Sequence, residues 1–208
     1  MPNLPEPWLQ MYQERKLAIK MRLQDFSKVS EENYFYELLF CLLTPQSSAK
    51  NAELTISDLK AARFLEKGFD PVAYLRDPKH YIRFHNVKGK RLLYVRTIYP
   101  TLQPILIGNR GDVLKLRSIV MKHVPGLGLK ESSHFLRNIG IRGLAILDRH
   151  ILKHLRHLAI IEEIPKSMTP KAYLGIEKEW LKYSETVGIS LDELDLLFWS
   201  METGVIRK

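Results

Sequence analysis

The sequence predicts an all-α fold, and three features of its pattern support this prediction. Apolar residues recur mainly at spacings of three and four along the 208-residue chain, as they do in helices with one buried face. Period-two alternation, which is typical of half-buried strands, is scarce. Capping residues and glycines stand at the ends of several apolar segments. The chain contains no internal repeat and no low-complexity tract.

Six helical segments are predicted in the first half of the chain. The residue before a proline avoids helical geometry, so the second segment should end before Thr44 and Pro45. Ser47 or Ser48 can cap the start of the third segment. A basic stretch, residues 88–91, should lead into the sixth. The predicted segments are residues 8–26, 30–43, 48–62, 71–75, 77–84 and 92–101.

Five further helical segments are predicted in the second half, and most of them begin at a recognisable cap. Asp112 and Asp148 each precede an apolar-periodic run and are predicted N-caps. Ser190 followed by Glu193 forms a capping box. Gly140 is a typical C-terminal stop. The predicted segments are residues 113–123, 129–138, 149–159, 171–187 and 191–203.

Charge and cysteine content limit the classes of function. With 32 basic and 23 acidic residues the formal net charge is +9, which suits a polyanion such as nucleic acid or an anionic membrane surface. The single cysteine, Cys41, excludes a disulfide within the chain and a cysteine-rich zinc or iron–sulfur site. The first residues lack a signal-peptide core, and no apolar stretch approaches the roughly 18 residues of a membrane span. We therefore expect a soluble, cytoplasmic protein with no membrane contact.

The turn Pro125-Gly126-Leu127-Gly128 between two predicted helices is the most informative short segment. Its two glycines permit backbone angles that a Cβ would forbid and allow a ligand to approach closely. The turn leads into a helix N-terminus, whose free N–H groups and dipole favour an anion. For a basic protein a DNA phosphate is the natural anion, although an ordinary helix–helix connection is the alternative.

The order helix, Val-Pro-Gly-Leu-Gly, helix resembles the helix–hairpin–helix element of the DNA glycosylase superfamily that includes endonuclease III and the 8-oxoguanine DNA glycosylases. Residues 43–48, 130–140 and 198–208 are similar to the compact archaeal-type branch of the 8-oxoguanine glycosylases. The resemblance implies two helical subdomains flanking a DNA-binding cleft. One subdomain would comprise residues 26–138, and the other residues 1–25 with 139–208.

The resemblance also implies a bifunctional glycosylase and lyase, with Lys130 and Asp148 at the family's catalytic positions. A neutral amine can attack the sugar, form a Schiff base and permit β-elimination. A free lysine has a pKa of about 10.4, so such an amine needs surroundings that disfavour its charge, as the first turn of a helix does. Asp148 can accept the proton and stabilise the cationic sugar while it caps its own helix.

Five residues are predicted to bind the damaged, flipped-out base or the gap that it leaves. Trp199, which the helical period groups with acidic residues on a polar face of the last helix, is a candidate stacking platform. 8-Oxoguanine carries a hydrogen at N7, so the site needs an acceptor. The resemblance implies the terminal carboxylate of Lys208 for this role, and Asp195 is a second possible acceptor. The resemblance places Phe84, or alternatively His85, on the opposite face of the base, and Gln46 in the gap.

Four residues are predicted to contact the DNA backbone, namely Gly126, Gly128, Lys88 and Lys90. The expected partner is double-stranded DNA with a damaged base, bound by a monomer. No metal or cofactor is expected, because the histidines at 150, 154 and 157 lack an accompanying His-Glu-x-x-His pattern. Two other functions stay open: a related glycosylase for another lesion, and a non-catalytic helix–hairpin–helix DNA-binding module.

Overall fold

The computed structural model describes residues 3–206, in which helices alternate with loops and turns and no strand forms. The predicted all-α fold is confirmed. A short 3₁₀ turn, Glu31–Asn33, precedes the second helix. The helices are α1 (Glu6–Ser27), α2 (Tyr34–Leu43), α3 (Ala49–Ala61), α4 (Phe64–Lys67), α5 (Val72–Leu75), α6 (His85–Gly108), α7 (Val113–His123), α8 (Leu129–Asn138), α9 (Arg149–His157), α10 (Pro170–Val187) and α11 (Leu191–Thr203).

Contacts divide the chain into two compact units, and the second division falls within α8. The central unit comprises residues 29–135. The terminal unit is formed by the segment up to residue 28 together with the segment from residue 136 onward. The prediction from sequence places the two boundaries after residues 25 and 138.

Helix α2 forms the core of the central unit. Nine of its residues are buried, and it packs against α3 and α6. Helix α6 is longer than predicted, because it begins at His85 and continues through Pro100 and Pro104. Each proline removes a backbone donor and normally kinks or breaks a helix. This cost is outweighed by the burial of an unbroken apolar stripe at spacings of three and four. The stripe consists of Leu92, Val95, Tyr99, Leu102 and Leu106.

The predicted helix at residues 77–84 is wrong, because this segment consists of turns and irregular backbone. Pro78 disfavours helical geometry at Asp77, whose carboxylate instead accepts a hydrogen bond from the backbone N–H of Lys79 at 2.8 Å. The N–H of Ile82 donates to the carbonyl of Leu75 at 2.9 Å, which returns the chain toward α5. Phe84 then has a left-handed backbone, with φ +61°, immediately before α6.

Helix α11 is the most deeply buried element of the terminal unit, where it contacts α1, α9 and α10. The predicted capping box is confirmed, since Ser190 and Glu193 bond reciprocally. The predicted stop at Gly140 is also explained, because its φ of +83° lies in the left-handed region. A Cβ at Gly140 would lie 2.7 Å from the Cα of Ser27, so the backbone of this turn approaches the end of α1 too closely for any other residue.

A buried ion pair joins α8 to α11 in the terminal unit. Nη1 of Arg137 lies 2.6 Å from Oδ2 of Asp195, and both side chains are at most 4% exposed. The guanidinium also lies over the ring of Phe26, 4.9 Å from its centroid. Burial raises the pKa of Asp195 to about 7, against the lowering effect of Arg137, and the nearby carboxylates of Asp148 and Asp192 raise it further.

Across residues 3–206, no helix combines the length and the apolar character that crossing a membrane would require.

Replacing Asp195 by Leu should lower the free energy of unfolding by about 3–5 kcal/mol, because Arg137 keeps its charge in the interior and loses the carboxylate that lies 2.6 Å from it. Urea denaturation of both forms measures this difference. The double variant Arg137→Met/Asp195→Leu, in which neither charge is buried, should recover most of the loss. A single variant within about 1 kcal/mol of the original protein would show that the pair does not hold α8 and α11 together.

Candidate active site

The turn between α7 and α8 depends on one of its two glycines. Gly126 has φ +97°, and the N–H of Leu127 closes the turn on the carbonyl of Val124 at 3.2 Å. A Cβ at Gly126 would lie 2.5–2.8 Å from the guanidinium of Arg91, which packs against this glycine. Gly128 is not in the left-handed region, and a Cβ there would meet only Oε2 of Glu131, at 3.6 Å. The conformational reason predicted for both glycines therefore holds for Gly126 alone.

Lys130 lies in the first turn of α8, as predicted. The first main-chain hydrogen bond of this helix runs from the N–H of Ser132 to the carbonyl of Gly128, at 3.0 Å. The amides at the start of a helix have no acceptor within it, so they can bind an anion such as a phosphate. Nζ of Lys130 lies 3.0 Å from Oε1 of Glu131, and the Lys130 side chain is 35% exposed. The amine is therefore accessible and is held beside a carboxylate that the sequence reasoning did not single out.

Asp148 is the N-cap of α9, which confirms the predicted capping role. Its Oδ1 accepts hydrogen bonds from the N–H groups of His150 at 2.8 Å and Ile151 at 2.9 Å. Both bonds use the same oxygen, so the helix N-terminus fixes the orientation of the carboxylate. The helix dipole favours the negative charge at this end. A carboxylate held in this way can stabilise a cation, while its catalytic role stays a prediction.

The aromatic candidate Trp199 lies on α11 and is half-buried. Its ring meets the ring of His150 edge-on, with centroids 5.4 Å apart. Glu202 holds His150 at 3.3 Å and also pairs with Lys153 at 2.8 Å and His154 at 3.1 Å. The hydrogen bond from Lys153 is the main reason that the pKa of the Glu202 carboxyl lies below its ordinary value. This network accounts for two of the three histidines noted in the sequence, because His150 and His154 both pair with Glu202.

The predicted polar face of α11 is wrong, because two of its acids lie in the interior. Asp192 is 4% exposed and accepts a hydrogen bond from the N–H of Gly143 at 3.0 Å. Asp195 is 1% exposed and pairs with Arg137. Oδ1 of Asp195 has no hydrogen-bond partner among residues 3–206. That oxygen is an unused buried acceptor, but its burial does not favour direct contact with a base. Lys208, the other predicted acceptor, lies outside the described residues.

Gln46 and Phe84 lie on two loops of the central unit that are linked through one hydroxyl. The Oγ of Ser47 accepts a hydrogen bond from the backbone N–H of Arg83 at 3.0 Å. Gln46 has φ +56° and Phe84 has φ +61°, and both side chains are exposed. A left-handed backbone is uncommon for such residues and is found preferentially at functional sites. The alternative aromatic, His85, is less exposed, and its Nδ1 lies 3.2 Å from the hydroxyl of Tyr81.

The basic stretch at residues 88–91 does not lead into a helix but lies within α6, and its members differ in environment. Lys90 is exposed and stays a candidate for phosphate contact. Lys88 is only 3% exposed, and its ammonium donates to groups of the protein itself. The predicted DNA contact through Lys88 is therefore wrong. Arg91, which was not among the predicted contacts, is the residue that meets the hairpin at Gly126.

Across residues 3–206, no three His, Cys, Asp or Glu side chains are grouped so that they can hold a metal ion. His157 stacks on Trp8, with ring centroids 5.1 Å apart and planes inclined by 19°. Its imidazole is thus part of an aromatic contact.

Taken together, two helices joined by a glycine hairpin in an all-α chain define a helix–hairpin–helix protein. A family model described as 8-oxoguanine DNA glycosylase matches residues 19–189. The chain belongs to this 8-oxoguanine DNA glycosylase family.

Curated relatives and solved structures resemble the chain over nearly its whole length. An 8-oxoguanine DNA glycosylase/AP lyase of Fusobacterium nucleatum is 39% identical over 207 residues, covering 95% of this chain and 94% of that protein. One of Korarchaeum cryptofilum is 38% identical, covering 91% and 90%. The crystal structure of the Thermotoga maritima 8-oxoguanine DNA glycosylase has a TM-score of 0.83 at 30% identity, covering 98% and 97%.

A further solved structure is a complex with DNA. It contains the Methanocaldococcus jannaschii 8-oxoguanine glycosylase/lyase with a 15mer DNA that includes 8-oxoguanine. Its TM-score is 0.84 at 29% identity, covering 96% of this chain and 98% of that chain.

Gly126→Ala should lower the free energy of unfolding by about 1–3 kcal/mol, because alanine is strained at this φ. Gly128→Ala is the matched control in the same turn and should change it by less than about 1 kcal/mol, since its backbone and surroundings accept a Cβ. Urea denaturation measures both variants. Equal losses in the two variants would contradict the distinction between the two glycines.

Proposed function

We propose that this chain is a bifunctional DNA glycosylase and AP lyase that removes 8-oxoguanine from double-stranded DNA. The observation that carries the proposal is the position of Lys130, an accessible amine in the first turn of the helix that follows the hairpin. Relatives up to 39% identical, whose names state both activities, support it along almost the entire chain. The DNA complex of a structure with the same fold supports the choice of substrate.

The proposed reaction begins with an uncharged Lys130. Its lone pair bonds to C1′ of the sugar as the glycosidic bond breaks, and the base leaves with the bonding electrons and takes up a proton. Loss of the amine proton and opening of the sugar ring give a Schiff base. Removal of a proton from C2′ then expels the 3′ phosphate by β-elimination. Water then hydrolyses the Schiff base and frees the amine of Lys130, so the reaction needs no cofactor.

Two carboxylates have distinct proposed roles. Glu131 lies beside the amine and can accept its proton, after which the ion pair no longer holds Nζ. Asp148, fixed by its bonds to α9, would stabilise the positive charge that develops on the sugar. Because Asp148 also caps α9, replacing it by Asn would keep an oxygen acceptor for the helix while it removes the charge.

Recognition of the base and of the DNA backbone would use further predicted residues. Trp199 offers a half-exposed ring for stacking, and Phe84 offers an exposed one. Gln46 would enter the space left by the extruded nucleotide. The amides of Gly126 and Gly128 and the side chain of Lys90 would bind phosphates. We infer that the protein acts as a monomer on nucleoid-associated DNA in the cytoplasm.

Borohydride should trap a covalent complex between the protein and a duplex that contains 8-oxoguanine, because it reduces the Schiff base. Lys130→Gln should abolish trapping by removing the nucleophile. Lys178→Gln, which changes an exposed lysine on α10, is the charge-matched control and should trap at the original level. Denaturing gel electrophoresis resolves the complex.

Three results would argue against the proposal. Trapping that survives Lys130→Gln would remove this amine from the mechanism. Binding of the duplex without base release or trapping by the original protein would favour the non-catalytic DNA-binding module. Release of a different lesion in a panel of duplexes would favour a related glycosylase.

A further inference from the structure

Lys88 is a lysine with an interior position and no carboxylate partner among the hydrogen bonds and ion pairs of residues 3–206. Its Nζ donates to the carbonyl of Leu43 at 2.7 Å, the carbonyl of Pro45 at 2.7 Å and the Oγ of Ser47 at 3.2 Å. These three bonds use all three donors of the ammonium. Lysine is rarely buried unless its charge is satisfied in this way. Burial and the charge of Arg91 lower the pKa of Lys88 to about 8, so the group is still largely an ammonium at neutral pH.

The three acceptors lie on both sides of Gln46. Leu43 is the last residue of α2, where free carbonyls and the helix dipole favour a cation. Pro45 and Ser47 are the immediate neighbours of Gln46, whose backbone is left-handed. A residue with a Cβ enters this region at an energetic cost, so it stays there only when its surroundings fix it. The N–H of Ser47 closes the turn on the carbonyl of Thr44 at 3.0 Å, and the ammonium of Lys88 holds the backbone before Gln46 and the side chain after it.

The hydroxyl of Ser47 also connects Lys88 to the second loop, which contains Phe84. Ser47 accepts from Lys88 and from the N–H of Arg83, which uses both lone pairs of its oxygen. Arg83 directly precedes Phe84, which is left-handed and 48% exposed. Lys88 belongs to the first turn of α6, which begins right after Phe84. One buried cation therefore supports two exposed, left-handed residues on neighbouring loops.

We propose that Lys88 is a positioning residue that holds Gln46 and Phe84 in the conformations needed to extrude and read the damaged base. The inference rests on the proposed function for its biological meaning. Preorganised side chains lose less conformational freedom when they enter DNA than side chains on a mobile loop, so base extrusion becomes more favourable. Lys88 would contribute to specificity for the base without touching DNA.

Lys88→Met is the direct test, because it keeps an unbranched apolar side chain and removes the ammonium. Hydrogen exchange at residues 44–48 and 83–85 should become faster by about tenfold, while exchange in α10 stays unchanged. Lys67→Met, which removes an exposed charge from the same unit, is the control and should change neither region. Unchanged exchange in both loops would overturn the proposal.

Lys88→Met should affect the activities on two substrates to different extents. Single-turnover release of 8-oxoguanine should fall by about tenfold or more in Lys88→Met, because the residues that extrude and read the base are misplaced. Cleavage at a preformed abasic site needs no base extrusion and should change by less than about threefold. A variant that merely lowered the folded fraction would reduce both rates by the same factor, and that result would contradict a positioning role.

A double-mutant cycle with Gln46→Ala shows whether Lys88 acts through Gln46. In that background Lys88→Met should reduce 8-oxoguanine release by clearly less than it does alone, since residues acting together are not additive. Full additivity would overturn this coupling. Should Lys88→Met fail to fold, Ser47→Ala removes the shared acceptor with a smaller change and should accelerate exchange in the same loops. If the original protein releases no 8-oxoguanine, the proposed function fails, while the exchange experiment still decides whether Lys88 holds the loops.

Discussion

The left-handed backbone of Gly126 is the constraint on which the hairpin and the position of Lys130 depend. It turns the chain between α7 and α8 within a few residues and brings the hairpin against Arg91. This turn sets the start of α8, and therefore the position of Lys130 in its first turn. A helix N-terminus concentrates free amides and positive potential, which suits a phosphate. Under the proposed function, one backbone geometry would place both the amides that bind a phosphate and the amine that attacks the sugar.

Features of the fold that depend on neighbouring residues in the chain could be predicted from the sequence. The caps at Asp112, Asp148 and Ser190 each arise from a side chain that bonds to an amide two or three residues further on. Features that depend on distant contacts could not be predicted. Helix α6 passes through two prolines because its apolar stripe is buried by other elements, and residues 77–84 turn because Ile82 bonds back to Leu75. Local helix propensity reflects neither the burial of this stripe nor the hydrogen bond between Ile82 and Leu75.

In the candidate site, too, features that depend on distant contacts could not be predicted from the sequence. Lys130 and Asp148 could be proposed as the catalytic pair because the order of hairpin, lysine and aspartate in the sequence resembles that of the family. The role of Lys88 could not, because a lysine in a basic stretch gives no sign that three acceptors from residues 43–47 surround it. The interior positions of Asp192 and Asp195 could not be predicted either, since their partners come from other segments of the terminal unit. Helical period alone grouped these acids on a solvated face.

The central claim is that the amine of Lys130 becomes bonded to the sugar. Peptide mapping by mass spectrometry tests it most directly, after borohydride reduction of the complex with 8-oxoguanine DNA and digestion of both components. We expect the sugar-derived mass increase on the side chain of Lys130. An adduct on another lysine or on the terminal amine, with Lys130 unmodified, would contradict the account.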